Sequence, residues 1–327
     1  MNNKRTIKSK IMKTMKLKSK WLMLACLAMM CGCSDDSDEG TGQNDTPVEV
    51  SDWTQLVLAC QNGGTVEAPT RVVLAADIKL LTNTQRRING TGYYLIEGNG
   101  HTLSSISEDE YEEGCYWGTF HDDQPAHVTF SDVDFSLQGC PFLLESLEGG
   151  SMTMNNVNIT ITPTEEERNE AAQTGYIFSS SVWCGGEGSR LELNEGTSIS
   201  REEVSGTVLG VQAGGTLVLD GGKIASDDFI RFTKNGTEDM PVILLKRALD
   251  FPLTLYMVNM YFAGSSELVV VRGEGYTLTE ADLAQVAWHE WSAVRLNGVE
   301  TPCIGTMEFY LDQEENAIKM REKQAEA

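Results

Sequence analysis

The segment from Ser104 to Ala126 concentrates side chains that could bind a ligand. Aromatic rings can stack on the apolar face of a sugar, and neighbouring carboxylates can accept hydrogen bonds from its hydroxyl groups. Carboxylate oxygens are also hard ligands that suit calcium. We therefore predict a ligand-binding site here, with the candidate residues Tyr111, Tyr116, Trp117, His121, Asp122 and Asp123. The alternative is that the aromatic residues form strand core and the acidic run is a solvated loop.

Further aromatic candidates lie later in the chain, at Trp183, Trp288, His289 and Trp291. Trp288 and Trp291 are three residues apart, so they could instead share a helix face that closes the C-terminal end. The sequence has no phosphate-binding loop, zinc-protease helix motif, nucleophile elbow or EF-hand loop, and its four histidines show no ligand spacing. We therefore predict no cofactor, with calcium left open.

The N-terminus has the form of a secretory signal. Eight basic residues precede the apolar run Trp21–Met30, which is too short to span a bilayer. The tetrapeptide Met30-Cys31-Gly32-Cys33 resembles a lipobox. We therefore predict that residues 1–32 are a lipoprotein signal peptide and that Cys33 carries the lipid.

Two other cysteines, Cys26 and Cys31, are weaker candidates for lipidation, and an ordinary signal peptide without lipid is a further alternative. The acidic run after Cys33 resembles the export signal that directs lipoproteins of Bacteroidetes to the outer face of the outer membrane. This resemblance implies a lipid anchor in that membrane, through an N-terminal diacylglyceryl-cysteine, with the protein facing the cell exterior. Residues 33–49 are polar, so we predict a flexible tether.

The chain is strongly acidic, with a formal net charge of −23 at pH 7. Loss of residues 1–32 would remove eight basic residues and no acidic one, which makes the mature chain more acidic still. Such a field disfavours nucleic acid, whose binding rests on cationic contacts to phosphate. It also disfavours polyanionic glycans unless calcium bridges them.

The cysteines after Cys33 are odd in number and irregular in spacing: Cys60, Cys115, Cys140, Cys184 and Cys303. They form no CxxC pair of the kind that binds zinc or supports redox chemistry. One disulfide is possible, but we predict small buried thiols.

A four-position apolar pattern recurs along the chain at offsets 0, 2, 5 and 7. It describes two inward-facing residues of a strand, a tight bend, and a second short strand. The matching sets are Ile96, Gly98, His101 and Leu103; Val128, Phe130, Val133 and Phe135; Met152, Met154, Val157 and Ile159; Leu217, Leu219, Gly222 and Ile224; and Leu253, Leu255, Val258 and Met260. Leu191-Leu193…Ile199 matches with one extra residue. The pattern predicts that Val128, Met152, Leu217 and Leu253 stand in one aligned column.

Each repeat also has an apolar segment upstream, which we interpret as a further strand. These segments are Gly118–Phe120, Pro141–Leu144, Tyr176–Phe178, Thr207–Leu209 and Val242–Leu245. A base period of 24–26 residues with insertions predicts an all-β solenoid over residues 50–275. A β-sandwich or barrel is the alternative, but it would not keep one signature over so long a stretch.

Both ends of the predicted solenoid have capping signals. Ser51-Asp52 precedes a helical pattern from Trp53 to Gln61. Residues 276–327 are predicted to form a C-terminal cap and a charged tail: a helix after Thr279, closing strands at Ala293–Leu296 and Met307–Leu311, and a tail at Glu314–Ala327. In architecture this organisation resembles the right-handed parallel β-helix of the pectate-lyase-like fold.

That resemblance implies where an enzymatic site would lie. Of the motifs that polygalacturonases of this fold carry, only the Asp-Asp pair occurs, at Asp122-Asp123 and Asp227-Asp228. A lyase of this fold uses a calcium-binding acidic cluster beside a basic residue that removes a proton. An alternative site of that kind would comprise Asp227, Asp228, Arg231 and Lys234. Flanking carboxylates keep such a basic residue protonated, so a surface salt-bridge cluster is the competing interpretation.

These observations predict a lipid-anchored surface protein with a β-helix that binds a glycan or a partner without catalysis, as adhesion proteins do. The alternative is a calcium-dependent polysaccharide lyase or glycoside hydrolase. A purely structural role in the envelope is a third possibility.

Overall fold

A computed structural model of the protein describes residues 46–79, 87–88, 91–105, 116–117, 125–138, 144–146, 149–234, 240–262 and 266–324. Strands predominate in this part of the chain, with three short helices among them. No helix among the described residues is long and apolar enough to cross a membrane.

The helices are α1 (Trp53–Ala59), α2 (Glu165–Thr174) and α3 (Glu280–Gln285). The first strands are β1 (Val48–Val50), β2 (Thr70–Leu74), β3 (Ile78–Lys79), β4 (Arg87–Ile88), β5 (Gly92–Glu97), β6 (Thr102–Ser105), β7 (Tyr116–Trp117), β8 (Ala126–Ser131), β9 (Asp134–Gln138), β10 (Leu144–Ser146), β11 (Ser151–Asn155), β12 (Asn158–Thr162), β13 (Val182–Cys184) and β14 (Arg190–Asn194). The remaining strands are β15 (Ser198–Arg201), β16 (Thr207–Gln212), β17 (Thr216–Asp220), β18 (Lys223–Ile224), β19 (Phe229–Thr233), β20 (Val242–Leu245), β21 (Leu253–Val258), β22 (Met260–Phe262), β23 (Leu268–Gly273), β24 (Val286–Trp288), β25 (Ala293–Leu296), β26 (Val299–Pro302), β27 (Met307–Asp312) and β28 (Ala317–Glu322).

These strands form four sheets. Sheet A has the order β1-β2-β5-β8-β11-β14-β17-β20-β23-β28-β27, and sheet B has the order β24-β21-β19-β16-β13-β10-β7-β4. Sheet C has the order β18-β15-β12-β9-β6-β3, and sheet D has the order β22-β25-β26. From β2 to β20 the chain adds a strand to sheet A, then to sheet C, then to sheet B, before it returns to sheet A.

Sheets B and C are parallel throughout, and sheet A is parallel from β1 to β23. Antiparallel pairs occur only at the C-terminal end of the described chain, where β28 pairs with β23 and β27, and β25 with β26. Antiparallel neighbours can be joined by a short hairpin, whereas parallel neighbours need a long connection. The long parallel sheets are inconsistent with the antiparallel sandwich that the sequence left as an alternative.

The predicted inward-facing residues do align along sheet A. Val128 pairs with Met152, Met152 with Leu191, Leu191 with Leu217, and Leu217 with Ile243. All but Val128 are fully buried, and Val128 packs against the same core. The repeat therefore predicted the parallel register correctly from β8 to β17, whereas the sequence placed Ile243 in an upstream strand.

The placement of Leu253 in this column was wrong. Ile243 of β20 occupies the next position, and Leu253 begins β21 in sheet B. The physical reason is that the chain forms no sheet C strand between β20 and β21, so it passes directly from sheet A to sheet B. The same offsets then describe the bend between β21 and β22, at Asn259.

The register of the first motif was also two residues off. Ile96 pairs with Phe130, so Tyr94 occupies the position equivalent to Val128. The bend after β5 is longer than the bend after β8, and Asn99 and Gly100 both adopt positive φ within it (52° and 79°). Beyond the bend the register is restored.

The upstream segments were predicted with mixed success. Thr207–Leu209 lies in β16 of sheet B as expected, but Val242–Leu245 is a strand of sheet A. Tyr176–Phe178 is not a strand, and β13 supplies the sheet B strand of that repeat. Residues 118–120 and 141–143 lie outside the described residues, and Leu144 begins β10.

The N-terminal helix formed as the sequence predicted, although it ends at Ala59 rather than Gln61. Asp52 caps it by accepting a hydrogen bond from the backbone N–H of Gln55 at 2.9 Å. Its inner face is the expected one, with Trp53, Leu56, Val57 and Cys60 buried. Val48 and Glu49, which the sequence placed in the tether, instead belong to β1 and pair with β2.

At the C-terminal end, α3 and the closing strands β25 and β27 formed where they were predicted. The charged tail was wrong for residues 317–322, which form β28 between β23 and β27. Ala317, Ile318 and Met320 of β28 are fully buried. Lys319 reaches Asp312 at 2.7 Å, and this charge pairing is why an apparently charged segment can enter the sheet.

Three cysteines lie in the described chain, and all three are free and buried. Burial raises the pKa of the Cys60 and Cys303 thiols to about 12 and that of Cys184 to about 11. The predicted buried thiols are confirmed for these positions. Cys115 and Cys140 lie outside the described residues.

Candidate functional site

The site predicted between Ser104 and Ala126 lies largely outside the described residues. Four of its candidates fall there: Tyr111, His121, Asp122 and Asp123. Tyr116 and Trp117 form β7 of sheet B, but their side chains are not part of what the structure describes. The binding role assigned to this set stays a prediction.

The alternative site, predicted at Asp227, Asp228, Arg231 and Lys234, has one buried and one exposed aspartate. Asp228 is only 3% exposed, and its two carboxylate oxygens accept hydrogen bonds from the backbone N–H groups of Arg201 (2.8 Å) and Gly206 (3.1 Å). Burial raises the pKa of the Asp228 carboxyl, and these bonds oppose the rise. Asp227 is exposed to solvent. In the described chain, no group of three or more His, Cys, Asp or Glu side chains is placed to hold a metal ion.

The candidate functional side chains that the structure does describe lie together on a different part of sheet B. Residues 163–181, between β12 and β13, form an insertion that we call the covering insertion. Its helix α2 begins with reciprocal hydrogen bonds between Thr164 and Glu167, at 3.1 and 2.9 Å. It ends at Gly175, whose φ of 83° suits glycine and turns the chain back towards sheet B.

Rings from four segments meet beyond α2 in what we call the aromatic cluster. Its members are Tyr176, Phe178, Phe229, Tyr256, His289 and Trp291. Ring centroids lie 4.0 Å apart between Phe229 and His289, 5.1 Å between Phe178 and Tyr256, and 6.0 Å between Phe178 and Trp291. Phe178 therefore links the ring at the surface to those on the strands.

The cluster has a buried base and one exposed edge. Phe229 and His289 are buried, and Tyr256 is half-buried. Trp291 is 54% exposed although it touches Phe178. Strands β19 and β21, which carry Phe229 and Tyr256, pair in parallel within sheet B. The exposed indole of Trp291 contacts Phe178 of the covering insertion, and the paired strands hold the other rings, so together they form a preformed stacking surface.

Arg231 lies beside the cluster, in an outward-facing row of sheet B. The register places Trp183, Gly210, Arg231 and Tyr256 next to one another, and their strand neighbours point into the core. The Trp183 ring covers Gly210, where an added Cβ would lie 2.7 Å from the indole. The Arg231 guanidinium lies 5.8 Å from the centre of that ring.

The hydroxyl groups of the cluster lie in an acidic environment. Burial raises the pKa of Tyr256, the positive charge of Arg231 opposes the rise, and Glu170 and Glu300 add to it. Burial also raises the pKa of Tyr176, and its hydrogen bond to Glu290 adds to that effect. Only Arg231 counters these carboxylates at Tyr256 among the described residues that act on it.

His289 is held as a neutral acceptor at the base of the cluster. Its Nδ1 accepts a hydrogen bond from the backbone N–H of Trp291 at 3.3 Å, which helps to place the exposed indole. Burial lowers the pKa of the His289 imidazole, and Glu290 opposes that shift. Its Nε2 is buried without a hydrogen-bond partner among the described residues.

Arg201 fastens the covering insertion to sheet B. Its side chain is fully buried, and Nη2 donates to the carbonyl oxygen of Ser179 at 2.6 Å. Nε and Nη2 also donate to the carbonyl oxygen of Thr207, at 3.1 and 3.0 Å. Glu167 of α2 supplies a counter-charge 3.6 Å from Nη1.

The other aromatic candidates from the sequence take separate places. Trp288 is half-buried in β24 and stacks on Phe309 at 3.7 Å, so it does not share a helix face with Trp291. Trp183 is buried, and its Nε1 donates to the carbonyl oxygen of Ser180 at 3.1 Å.

Most of the aromatic cluster escaped prediction. His289 and Trp291 were candidates, but Tyr176 and Phe178 were assigned to a strand and Arg201 was not singled out. The sequence did offer one signal. Arg231 in β19 and Tyr256 in β21 are each a polar residue between two apolar neighbours, which indicates that both side chains point away from the core. Their adjacency depends on the register of β19 and β21, which spacing alone did not reveal.

Comparisons with protein-family models, curated proteins and solved structures found no match to this chain.

Proposed function

We propose that the protein is a surface-exposed outer-membrane lipoprotein that binds a glycan without catalysis. In this proposal sheets A, B and C are the faces of a right-handed parallel β-helix, closed by α1 at one end and by the C-terminal strands at the other. Support for the β-helix comes from the strand order. From β2 to β17, each strand of sheet A is followed by one strand in sheet C and one in sheet B, and β20 is followed directly by a strand in sheet B. Cys33 carries the lipid, and the tether projects the β-helix to the exterior.

The observation that carries the binding function is the exposed Trp291 on the aromatic cluster. A sugar ring can lay its apolar face on the indole, while nearby hydroxyl and carboxylate groups receive its polar edge. Glu290, which precedes Trp291 in the chain, and Tyr256, which contacts the nearby His289, offer such groups. Paired strands beneath the cluster keep these partners in place before the ligand arrives, which lowers the entropic cost of binding.

The absence of catalysis is supported by the way that Asp228 is used. Asp228 is only 3% exposed and each of its carboxylate oxygens already accepts a backbone hydrogen bond, so it does not face the solvent from which calcium and a substrate would bind. Its partners in the alternative site therefore lack the acidic ligand on which a lyase would rely.

A glycan array with the full-length protein, purified in detergent, tests this function. The wild type should bind at least one glycan, and Trp291→Ala should weaken that binding by about 2 kcal/mol, or about 30-fold. Tyr261→Ala is the matched control, since Tyr261 is 48% exposed but lies outside the cluster.

Three results would count against the proposal. If the wild type bound no glycan on the array, the glycan-binding function would be contradicted. If wild type and Trp291→Ala bound equally well, the aromatic cluster would not be the binding surface. Release of shortened or unsaturated products from a bound glycan would contradict the non-catalytic part.

A further inference from the structure

Arg231 differs from most arginines of this acidic chain in having no carboxylate partner among the residues that the structure describes. Among the arginines whose side chains the structure describes, all but Arg231 and Arg295 form salt bridges with Asp or Glu. The guanidinium of Arg231 instead makes a cation–π contact with Trp183, 5.8 Å from the ring centre. With 48 acidic residues against 25 basic ones, an arginine without a carboxylate partner is unexpected.

The guanidinium of Arg231 also has an unsatisfied donor. Its Nε is buried and has no hydrogen-bond partner in the described chain. A buried donor without an acceptor is costly, so its persistence calls for an explanation. Arg231 is half-buried and adjacent in register to Tyr256 of the aromatic cluster. Because Nε is buried, a ligand on the cluster would meet the terminal N–H groups of the guanidinium, for which no hydrogen-bond acceptor lies in the described chain either.

Building on the proposed glycan-binding function, we infer that Arg231 binds the carboxylate of an acidic sugar that stacks on the aromatic cluster. A guanidinium matches a carboxylate in geometry and offers two parallel N–H donors to it. The ring at Trp183 holds the guanidinium from one side, which limits the freedom that binding would otherwise remove.

The charge around the site restricts the ligand to one negative group. Of the described charged residues that act on the pKa of Tyr256, Arg231 is the one cation, and Glu170 and Glu300 are negative. A second carboxylate on the ligand would meet these acidic side chains and the net negative charge of the chain. The ligand class is therefore an oligosaccharide that ends in a single uronic or sialic acid, not a polyuronate.

Matched ligands test this inference on the full-length wild-type protein. The probes are oligosaccharides ending in glucuronic acid or sialic acid, each compared with its carboxyl-reduced form, and polygalacturonate. At least one acidic form should bind about tenfold or more tightly than its reduced form, and the arm that responds identifies the acid. Polygalacturonate should not bind.

Variants then assign the preference to a residue. Arg231→Gln should bind the acidic and reduced forms equally, at about the affinity of the wild type for the reduced form. Arg295→Gln is the matched control, because Arg295 also has no carboxylate partner in the described chain but stacks on Tyr261 of sheet D. It should keep the wild-type preference.

The outcomes separate this inference from the proposed function. Equal wild-type binding of acidic and reduced forms, weakened by Trp291→Ala, would overturn the role of Arg231 and leave the glycan-binding function standing. No binding of any saccharide would overturn both. Binding of polygalacturonate would overturn the single-charge restriction. If Arg231→Gln failed to fold, equal binding of the acidic and reduced forms by the wild type would still overturn the inference.

Discussion

Arg201 and Ser179 are joined by a hydrogen bond of 2.6 Å from the guanidinium Nη2 to the backbone carbonyl oxygen. The same guanidinium binds the carbonyl oxygen of Thr207, at the start of β16. One buried side chain therefore connects the covering insertion to sheet B. Since Phe178 of that insertion supports Trp291, the position of the exposed indole depends on this connection.

Replacing Arg201 should destabilise the fold and release the covering insertion. Arg201→Met removes the hydrogen bonds and leaves Glu167 and Asp228 without their buried counter-charge, which costs about 3–5 kcal/mol. Urea unfolding measures the loss, and hydrogen exchange in residues 164–181 should become faster. The control is Arg168→Met, which breaks an exposed ion pair with Glu203 and should change stability little. Equal effects of the two variants would contradict the anchoring role.

The two adjacent aspartates should respond differently to conversion to asparagine. In Asp228→Asn one of the two acceptor oxygens becomes an NH2 group, so a backbone N–H of Arg201 or Gly206 loses its partner. A buried donor left in this way costs about 1–3 kcal/mol of unfolding free energy. Asp227→Asn should change it little, because Asp227 is exposed. Denaturant titration of both variants gives the comparison, and a larger effect at Asp227 would reverse the assignment of roles.

His289 should make stability depend on pH in a defined direction. Its pKa in the folded protein lies below the ordinary value of about 6.5, because burial disfavours the imidazolium ion. The unfolded chain therefore takes up a proton at higher pH than the folded chain does. The contribution of neutral His289 is present above about pH 6.5 and is lost as the pH falls towards the folded pKa.

A pH series of Tm values on wild type and His289→Gln isolates this contribution. The variant should be less stable at pH 7.5, since it loses the ring packing on Phe229. The difference in Tm between the two proteins should shrink as the pH is lowered to 5.0. Only the wild type has an imidazole that burial holds uncharged, so only the wild type loses stability as that group becomes protonated in the unfolded chain. Other titrating groups are common to both proteins and cancel. A difference that stays constant or grows on acidification would show that His289 is not held neutral.

The sequence predicted those features that depend on local periodicity. The spacing between Met152, Leu191 and Leu217 contained the register of sheet A, because each is an inward-facing residue of an equivalent strand. The helix starts at Asp52 and Thr279 were predictable for a similar reason, because the hydrogen bonds of a helix cap join residues within about four positions of one another.

Features that depend on packing between distant segments were not predictable in this way. Leu253 fits the repeat, yet it lies in sheet B because a strand of sheet C is missing before it. The charged residues in and around β28 did not predict a strand. Its burial depends on pairing with β23, some 50 residues earlier in the chain. The aromatic cluster likewise forms only when β19, β21, the turn after β24 and the covering insertion come together.

The proposed lipidation of Cys33 gives a prediction about the N-terminal segment. A bacterial lipoprotein gains a diacylglyceryl group on the cysteine that follows the cleavage site, and two acyl chains hold a protein stably on a membrane. The wild type, expressed in a lipoprotein-exporting host, should therefore incorporate radiolabelled palmitate and partition into detergent. Cys33→Ser should lose both properties.

The neighbouring cysteines provide the controls for this assignment. Cys26→Ser and Cys31→Ser should keep the label, because the lipobox resemblance places cleavage directly before Cys33. A label that survives in Cys33→Ser but disappears in Cys31→Ser would move the lipid to Cys31. If no variant and no wild type were labelled, the segment would be an ordinary signal peptide. Protease treatment of intact cells then tests orientation: a lipoprotein facing the exterior is digested, whereas one facing the periplasm is protected.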